Sequence, residues 1–384
     1  MRDMHCCEHL GIFSDWVEEA GRQRHLCPPA APGPETRARV REVLGFCTGP
    51  ETPLNVRTER TWVRDGVAGE EVSWSVGYGP RTFAWVLKPE GAQTPLPGVL
   101  ALHDHGGFKY HGKEKIAAGP AIPPEYLRRW HEIYYGGRVY ANALAREGFV
   151  VLVPDTFLWG SRRFPLEVMP EWVRQAYQAV GASAAGADHD VGAPPEVAEY
   201  NYAAAEHEHV VEKYCNLLGT TLAGVVSHED RIAANYLRSR PDVRAEWVGC
   251  IGLSGGGNRA VLLQATYDAL RAAVVVGLMS TYASLLDRHV MGHTWMFFPS
   301  GWARYGDWPD LAGCRAPSPL LVQYDREDEL FPLEGMQAAH EQLREIYASA
   351  GQPGAYRGEF YTGPHKFDLE MQYAAFAWLK ERLA

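Results

Sequence analysis

The sequence predicts an α/β fold, a mostly parallel sheet with helices on both faces. Two observations carry this. From about Arg81 onward, short apolar runs alternate with segments that repeat apolar residues at helical spacing. One run, FVVLVPD at 149–155, is continuously apolar, as expected of a strand covered on both sides.

In chain order, RTFAWVLKP (81–89) reads as a strand ending at a turn proline, and GVLALHDHGG (98–107) as a buried strand running into glycines. GRVYANALAREG (137–148) is helical and stops at Gly148, where FVVLVPD begins. A less regular section follows to about Gly219. Within it, GASAAGADHDVGAPPE (181–196) reads as a surface loop and EVAEYNYAAAEHEHVVEKYCNLLG (196–219) as a helix. Alternation then resumes with helix 227–239, strand 247–254, helix 257–270, strands 272–279 and 319–325, helix 334–351, strand 355–363 and helix 369–383. The proline-rich CPPAAPGPET (27–36) separates an N-terminal helical stretch. We expect residues 1–60 to form a helical extension and 61–384 one α/β domain, with 156–219 inserted after the strand that ends at Asp155.

At 384 residues, 46% of them hydrophobic, the chain can bury a large core. Its formal charge of -10 and the lack of a basic stripe argue against nucleic acid as a partner. The N-terminus has charges scattered through it and does not read as a signal peptide. No run approaches the ~18 apolar residues of a membrane span, so the expected location is the cytoplasm. Seven cysteines (Cys6, Cys7, Cys27, Cys47, Cys215, Cys250, Cys314) are odd in number and thinly spread, as reduced thiols would be. His5, Cys6, Cys7, His9, His25 and Cys27 match no zinc spacing, and His103, Asp104 and His105 have no evident partner ligands, so no metal is expected. The sequence is compatible with a homo-oligomer formed through the N-terminal segment.

In such sheets, chemistry sits at the carboxyl ends of the strands. There the stretch IGLSGGGNRAVLLQA (251–265) places Ser254 between a strand and a helix, within the G-x-S-x-G pattern of Gly252 to Gly256. The turn exposes a serine hydroxyl and aims the unpaired amides of a helix N-terminus at it. A serine needs a base and an orienting acid, and both follow after later strands. His365 lies in GPH after the last strand, and PLLVQYDREDELFP supplies acids after the penultimate one. Asp328 is favoured, with Asp325 as the alternative. For an oxyanion hole, the amides of Gly255 and His105 are the favoured pair, with any amide from Asp104 to Gly107 open.

These residues resemble the α/β-hydrolase superfamily, and more narrowly its dienelactone-hydrolase-like and acetyl-xylan-esterase-like branch. The resemblance covers about Arg81 to the C-terminus and rests on LALHDHGG, YANALAREGFVVLVPD, GLSGGG, GDWPDLAGCRAPSPLLVQYDREDELFP and GPHKFD. It implies nucleophile, acid and base roles for Ser254, Asp328 and His365, and no cofactor. The chain has serine where dienelactone hydrolases carry cysteine, and it adds an N-terminal segment and an insertion, so their substrates do not transfer.

The expected activity is hydrolysis of a small-molecule carboxylic ester, an acetyl or sugar ester among the candidates. C–C, thioester, amide or peptide cleavage by the same residues, and a non-catalytic binding module, are the alternatives. Trp159, Arg162 and Arg163 in the insertion, and Trp295, Phe297, Phe298 and Trp302 in 293–308, are expected to overhang the strand ends. The aromatics would wall the substrate and the arginines would meet a carboxylate.

Overall fold

The computed structural model describes residues 7–45, 49–180 and 191–383. His5, Cys6, Cys47 and most of the expected surface loop at 181–196 lie outside them. The five described cysteines (Cys7, Cys27, Cys215, Cys250, Cys314) are free thiols.

One sheet organises the chain, with strands β1 (Leu54–Arg64), β2 (Val67–Ser75), β3 (Thr82–Pro89), β4 (Leu96–Leu102), β5 (Val150–Pro154), β6 (Val243–Leu253), β7 (Ala272–Val276), β8 (Leu320–Asp325) and β9 (Tyr356–Tyr361). Their spatial order is β1-β2-β3-β5-β4-β6-β7-β8-β9. The pairs β1/β2, β2/β3 and β3/β5 are antiparallel and the rest parallel. The central strands β5, β7 and β8 are buried at every residue, as continuous apolar runs require.

The extension expected to span residues 1–60 is helical only as far as Leu44. It contains α1 (Asp15–Arg24) and α2 (Pro34–Leu44), whereas β1 begins at Leu54. The boundary at residue 60 therefore falls inside a strand. β1 is an edge strand, exposed along nearly its whole length, and LNVRTERTWVR carries polar residues on both faces, which hides it from hydrophobic periodicity. The extension docks on the domain: α2 buries Val40 and Leu44, about 1.5–3 kcal/mol for each such side chain. Arg37 and Arg41 donate to the carbonyls of Ala265 and Thr266.

Further along lie α3 (Glu125–Tyr135), α4 (Tyr140–Arg146), α5 (Glu171–Val180), α6 (Pro195–Leu217), α7 (Leu222–Ser239), α8 (Gly255–Thr266), α9 (Trp308–Gly313), α10 (Leu333–Ser349) and α11 (Leu369–Arg382). Apolar residues of α2, α7, α8, α9 and α10 form a core on one face of the sheet. Those of α3, α4 and α11 form a core on the other. The insertion holds α5 and α6, whose apolar faces meet at Val173, Tyr200, Ala203 and Ala204. Among the described residues no helix is long and apolar enough to cross a membrane.

Candidate active site

β6 ends at Leu253 and α8 begins at Gly255, so Ser254 is the single residue of the turn. Its backbone sits at φ 56°, ψ −121°, a conformation that costs a non-glycine residue about 1–3 kcal/mol. The turn is held from both sides. Ser254 N donates to Val276 O at 2.8 Å, and its carbonyl accepts from Asn258 N at 2.9 Å. Two neighbours can only be glycine: a Cβ on Gly252 would lie 2.4 Å from the Gly256 backbone, and one on Gly255 would lie 2.5 Å from His105 N. The latter spacing also brings the loop after β4 against the start of α8.

The ends of β8 and β9 deliver the acid and the imidazole. His365 donates through Nδ1 to Asp328 Oδ2 at 2.6 Å, and Asp328 Oδ1 accepts from Leu330 N at 2.9 Å. Burial pulls the His365 imidazole down, but the Asp328 charge and hydrogen bond, helped by Asp325 and Asp104, outweigh it, and the net shift is upward. Asp325 is turned to other work: its Oδ2 accepts from Lys366 N at 3.1 Å, while Oδ1 is buried without a partner. Burial pushes its carboxyl up to about 7, Asp328 adds to this, and the Lys366 amide and His365 oppose it. Among the described residues, the one group close enough to share a cation is Asp325, Asp328 and His365. The imidazole Nδ1 in that group is already engaged by Asp328.

The loop after β4 is fixed by buried charge. Lys115 Nζ pairs with Asp104 Oδ1 at 3.1 Å and donates to His105 O at 3.1 Å, and Tyr135 donates to the other oxygen of Asp104 at 2.6 Å. His105 N has no acceptor among the described residues, and Gly255 N, in the first turn of α8, has no intrahelical one.

A cavity of about 410 Å³ opens over these groups. Ser254, Gly255, His105, Asp328 and His365 all line it. Trp130, Ile133 and Tyr134 from α3 form a wall, together with Leu278, Leu330 and Phe331. His293 also faces it: Nε2–H donates to Leu330 O at 3.1 Å, the ring lies 4.6 Å from that of Phe331, and burial pushes its imidazole down to about 4, so it is neutral.

Sequence reading missed the α3 wall, although Leu127, Trp130, His131, Tyr134 and Tyr135 recur at helical spacing. The substrate contacts it expected lie elsewhere. Trp159 is buried beneath the β4 loop, its indole donating to His105 O at 3.4 Å. Arg162 is spent on a buried, two-pronged pair with Glu229. Arg163 lies over the Tyr110 ring at 4.3 Å and donates to the carbonyls of Tyr110 and Gly160. Trp295 donates to His209 Nδ1 at 2.8 Å, and Phe298 packs on Tyr282 and Phe297. Phe297 and Trp302 are core residues, the latter donating to Asp307 O at 2.9 Å. None of the seven lines the cavity.

Solved structures superpose on this mostly parallel sheet and its helices along most of the chain. The fold is that of the α/β-hydrolases. A glucuronoyl esterase from Solibacter usitatus matches with a TM-score of 0.60 and 14% identity, covering 91% of this chain and 92% of that one. Acetyl xylan esterase 1 from Thermoanaerobacterium sp. JW/SL YS485 matches with a TM-score of 0.56 and 13% identity, covering 94% and 98%. In sequence, the Bacillus subtilis protein named "Putative hydrolase YtaP" is 24% identical over 356 residues, 91% of this chain and 99% of that one. No family model matches the chain.

Proposed function

We propose that this chain is a serine-dependent hydrolase of small-molecule carboxylic esters. The observation that carries the reading is the convergence of Ser254, on its strained turn, with the Asp328–His365 pair in one cavity. Ser254 Oγ attacks the ester carbonyl while His365 takes its proton. Asp328 holds the imidazole by Nδ1–H and stabilises the imidazolium. The carbonyl oxygen, now negative, is met by the amides of His105 and Gly255, an interaction in which one donor is worth about 2.7–4 kcal/mol. Collapse expels the alcohol with the proton from His365, and water then releases the acid from Ser254 by the same steps in reverse.

The substrate we propose is neutral and partly apolar. Among the described residues no Lys or Arg side chain lines the cavity, and Arg162 and Arg163, the expected carboxylate partners, are bound within the protein. The volume suits an ester with a modest ring or chain. The names borne by the structural neighbours, acetyl xylan and glucuronoyl esterases, support an ester as the bond and leave the alcohol open.

The test is turnover of p-nitrophenyl acetate and longer acyl esters, with thioester and amide counterparts, by the wild type and Ser254→Ala. We expect ester turnover that falls by at least ~10³-fold in the variant. Equal turnover in both proteins would remove Ser254 from the reaction, and a preference for amides or thioesters would change the bond.

A further inference from the structure

Among the described residues, the insertion between β5 and β6 contributes none to the cavity, yet one of its side chains reaches both loops that frame it. Glu208, on the buried face of α6, is 5% exposed and uses both carboxylate oxygens. Oε2 accepts from His105 Nε2–H at 3.0 Å and from the buried Lys109 ammonium. Oε1 accepts from Thr294 Oγ1 at 2.7 Å and from Trp295 N at 3.0 Å. His105 belongs to the loop after β4, and Thr294, in the 293–295 loop, also lines the cavity.

The consequence for His105 is specific. Its Nδ1 accepts from Gly107 N at 3.0 Å, so the neutral ring must carry its proton on Nε2, the atom that Glu208 takes. Burial pulls the imidazole below its ordinary value despite Glu208, which keeps it neutral. Its carbonyl accepts from Lys115 and Trp159. Both ring nitrogens and the carbonyl are thus satisfied within the protein, and only the amide N–H, packed against Gly255, is left over for a ligand. The lower part of the loop is tied by Lys115, the ring by Glu208.

We infer that Glu208 is a positioning residue for the oxyanion-binding amide of His105, and that it couples that amide to the placement of the 293–295 loop over the cavity. This rests on the serine-hydrolase reading above. Glu208 touches no substrate atom. It acts by fixing a donor that matters most once the carbonyl oxygen becomes negative, so its loss should fall on kcat and on tetrahedral adducts, with substrate affinity largely spared.

The experiment compares wild type, Glu208→Gln and Thr294→Val, each first checked for a folded state by circular dichroism and thermal melting. Three readouts are taken: kcat and KM on a p-nitrophenyl ester, inhibition by a trifluoromethyl ketone that forms a tetrahedral adduct, and the rate of Ser254 labelling by a fluorophosphonate. For Glu208→Gln we expect kcat and labelling rate to drop 10- to 100-fold. Ketone affinity should fall in parallel, with KM within about threefold and the acid limb of the pH profile unmoved. Thr294→Val, which removes one of the two loop-side bonds to Glu208 and the cap on Met296 N while leaving the His105 bond, should lose less than tenfold. A folded Glu208→Gln with wild-type kcat and labelling, or one whose loss lies wholly in KM, overturns the inference. If the wild type itself takes no label at Ser254, the serine-hydrolase reading fails first and the role of Glu208 falls with it.

Discussion

The two sides of the cavity are built from opposite materials. Between His103 and Lys115 the loop after β4 buries three lysines, and each is paired with a carboxylate: Lys109 with Glu208, Lys113 with Asp155, Lys115 with Asp104. In another part of the lining, Trp130, Ile133, Tyr134, Leu330 and Phe331 present mostly carbon, and Ile133 is 54% exposed. A buried ion pair adds little net stability but is costly to break from one side, because the surviving charge has nowhere to go. The first side therefore holds its geometry rigidly, which suits amides that must already point at a developing charge. The second can exchange one apolar group for another at small cost, which suits selection among substrates.

Breaking the acid–imidazole pair that both sides serve should give the largest effect. Asp328→Asn removes the carboxylate that raises the His365 imidazole. Catalysis needs that imidazole neutral, so in the wild type the acid limb of kcat/KM lies above the ordinary histidine value, and in the variant it moves to lower pH. The rate itself should fall by roughly 10²- to 10⁴-fold, read from a pH–rate profile on a p-nitrophenyl ester.

Next is Lys115→Met, which leaves Asp104 buried with only Tyr135 as a side-chain donor. We expect a loss of about 3–5 kcal/mol in denaturant unfolding, with reduced turnover in whatever remains folded. A loss under 1 kcal/mol would mean that the charge pairs do not hold the loop.

Asp325→Asn tests a burden at the end of β8, next to the acid–imidazole pair. The Asp325 carboxyl rises from an ordinary value near 3.8 to about 7 in the fold, so the native state binds this proton more tightly than the unfolded chain. Its contribution is therefore fully present below about pH 4 and is lost as pH rises through 7. Asparagine keeps the acceptor for Lys366 N and does not titrate. Melting temperatures should favour the variant progressively more between pH 4 and 7, then hold a constant gap to pH 8. A gap independent of pH would contradict the buried, protonated acid.

The smallest effect belongs to the apolar wall. Ile133→Ala should change stability by under about 1 kcal/mol, since the side chain is half exposed, and shift the preferred acyl length by a few-fold in kcat/KM.

What was legible in the sequence follows the range of the interactions involved. The Ser254 turn is local: strand, glycines and helix are contiguous, so one pentapeptide specifies the backbone. The buried strands are legible because both faces must be apolar. β1 is not, since as an edge strand it needs no apolar face, and so the helical extension reads longer in sequence than it is. Substrate contacts were misplaced because a tryptophan or arginine reads the same whether it faces a cavity or a partner. Arg162 meets Glu229, 67 residues away, and nothing near Arg162 announces it. Glu208 was equally silent, although an acid on the same helical stripe as Ala204 and Val211 is a signal that a buried partner must exist.

Acyl transfer to Ser254 is tested most directly by peptide mapping by mass spectrometry after rapid acid quench of the protein with a p-nitrophenyl ester. We expect an acyl adduct on the peptide that contains Ser254, formed in step with the first turnover and missing in Ser254→Ala. Steady turnover with no adduct on that peptide under a quench fast enough to catch a control serine esterase, or an adduct on another residue, would contradict it.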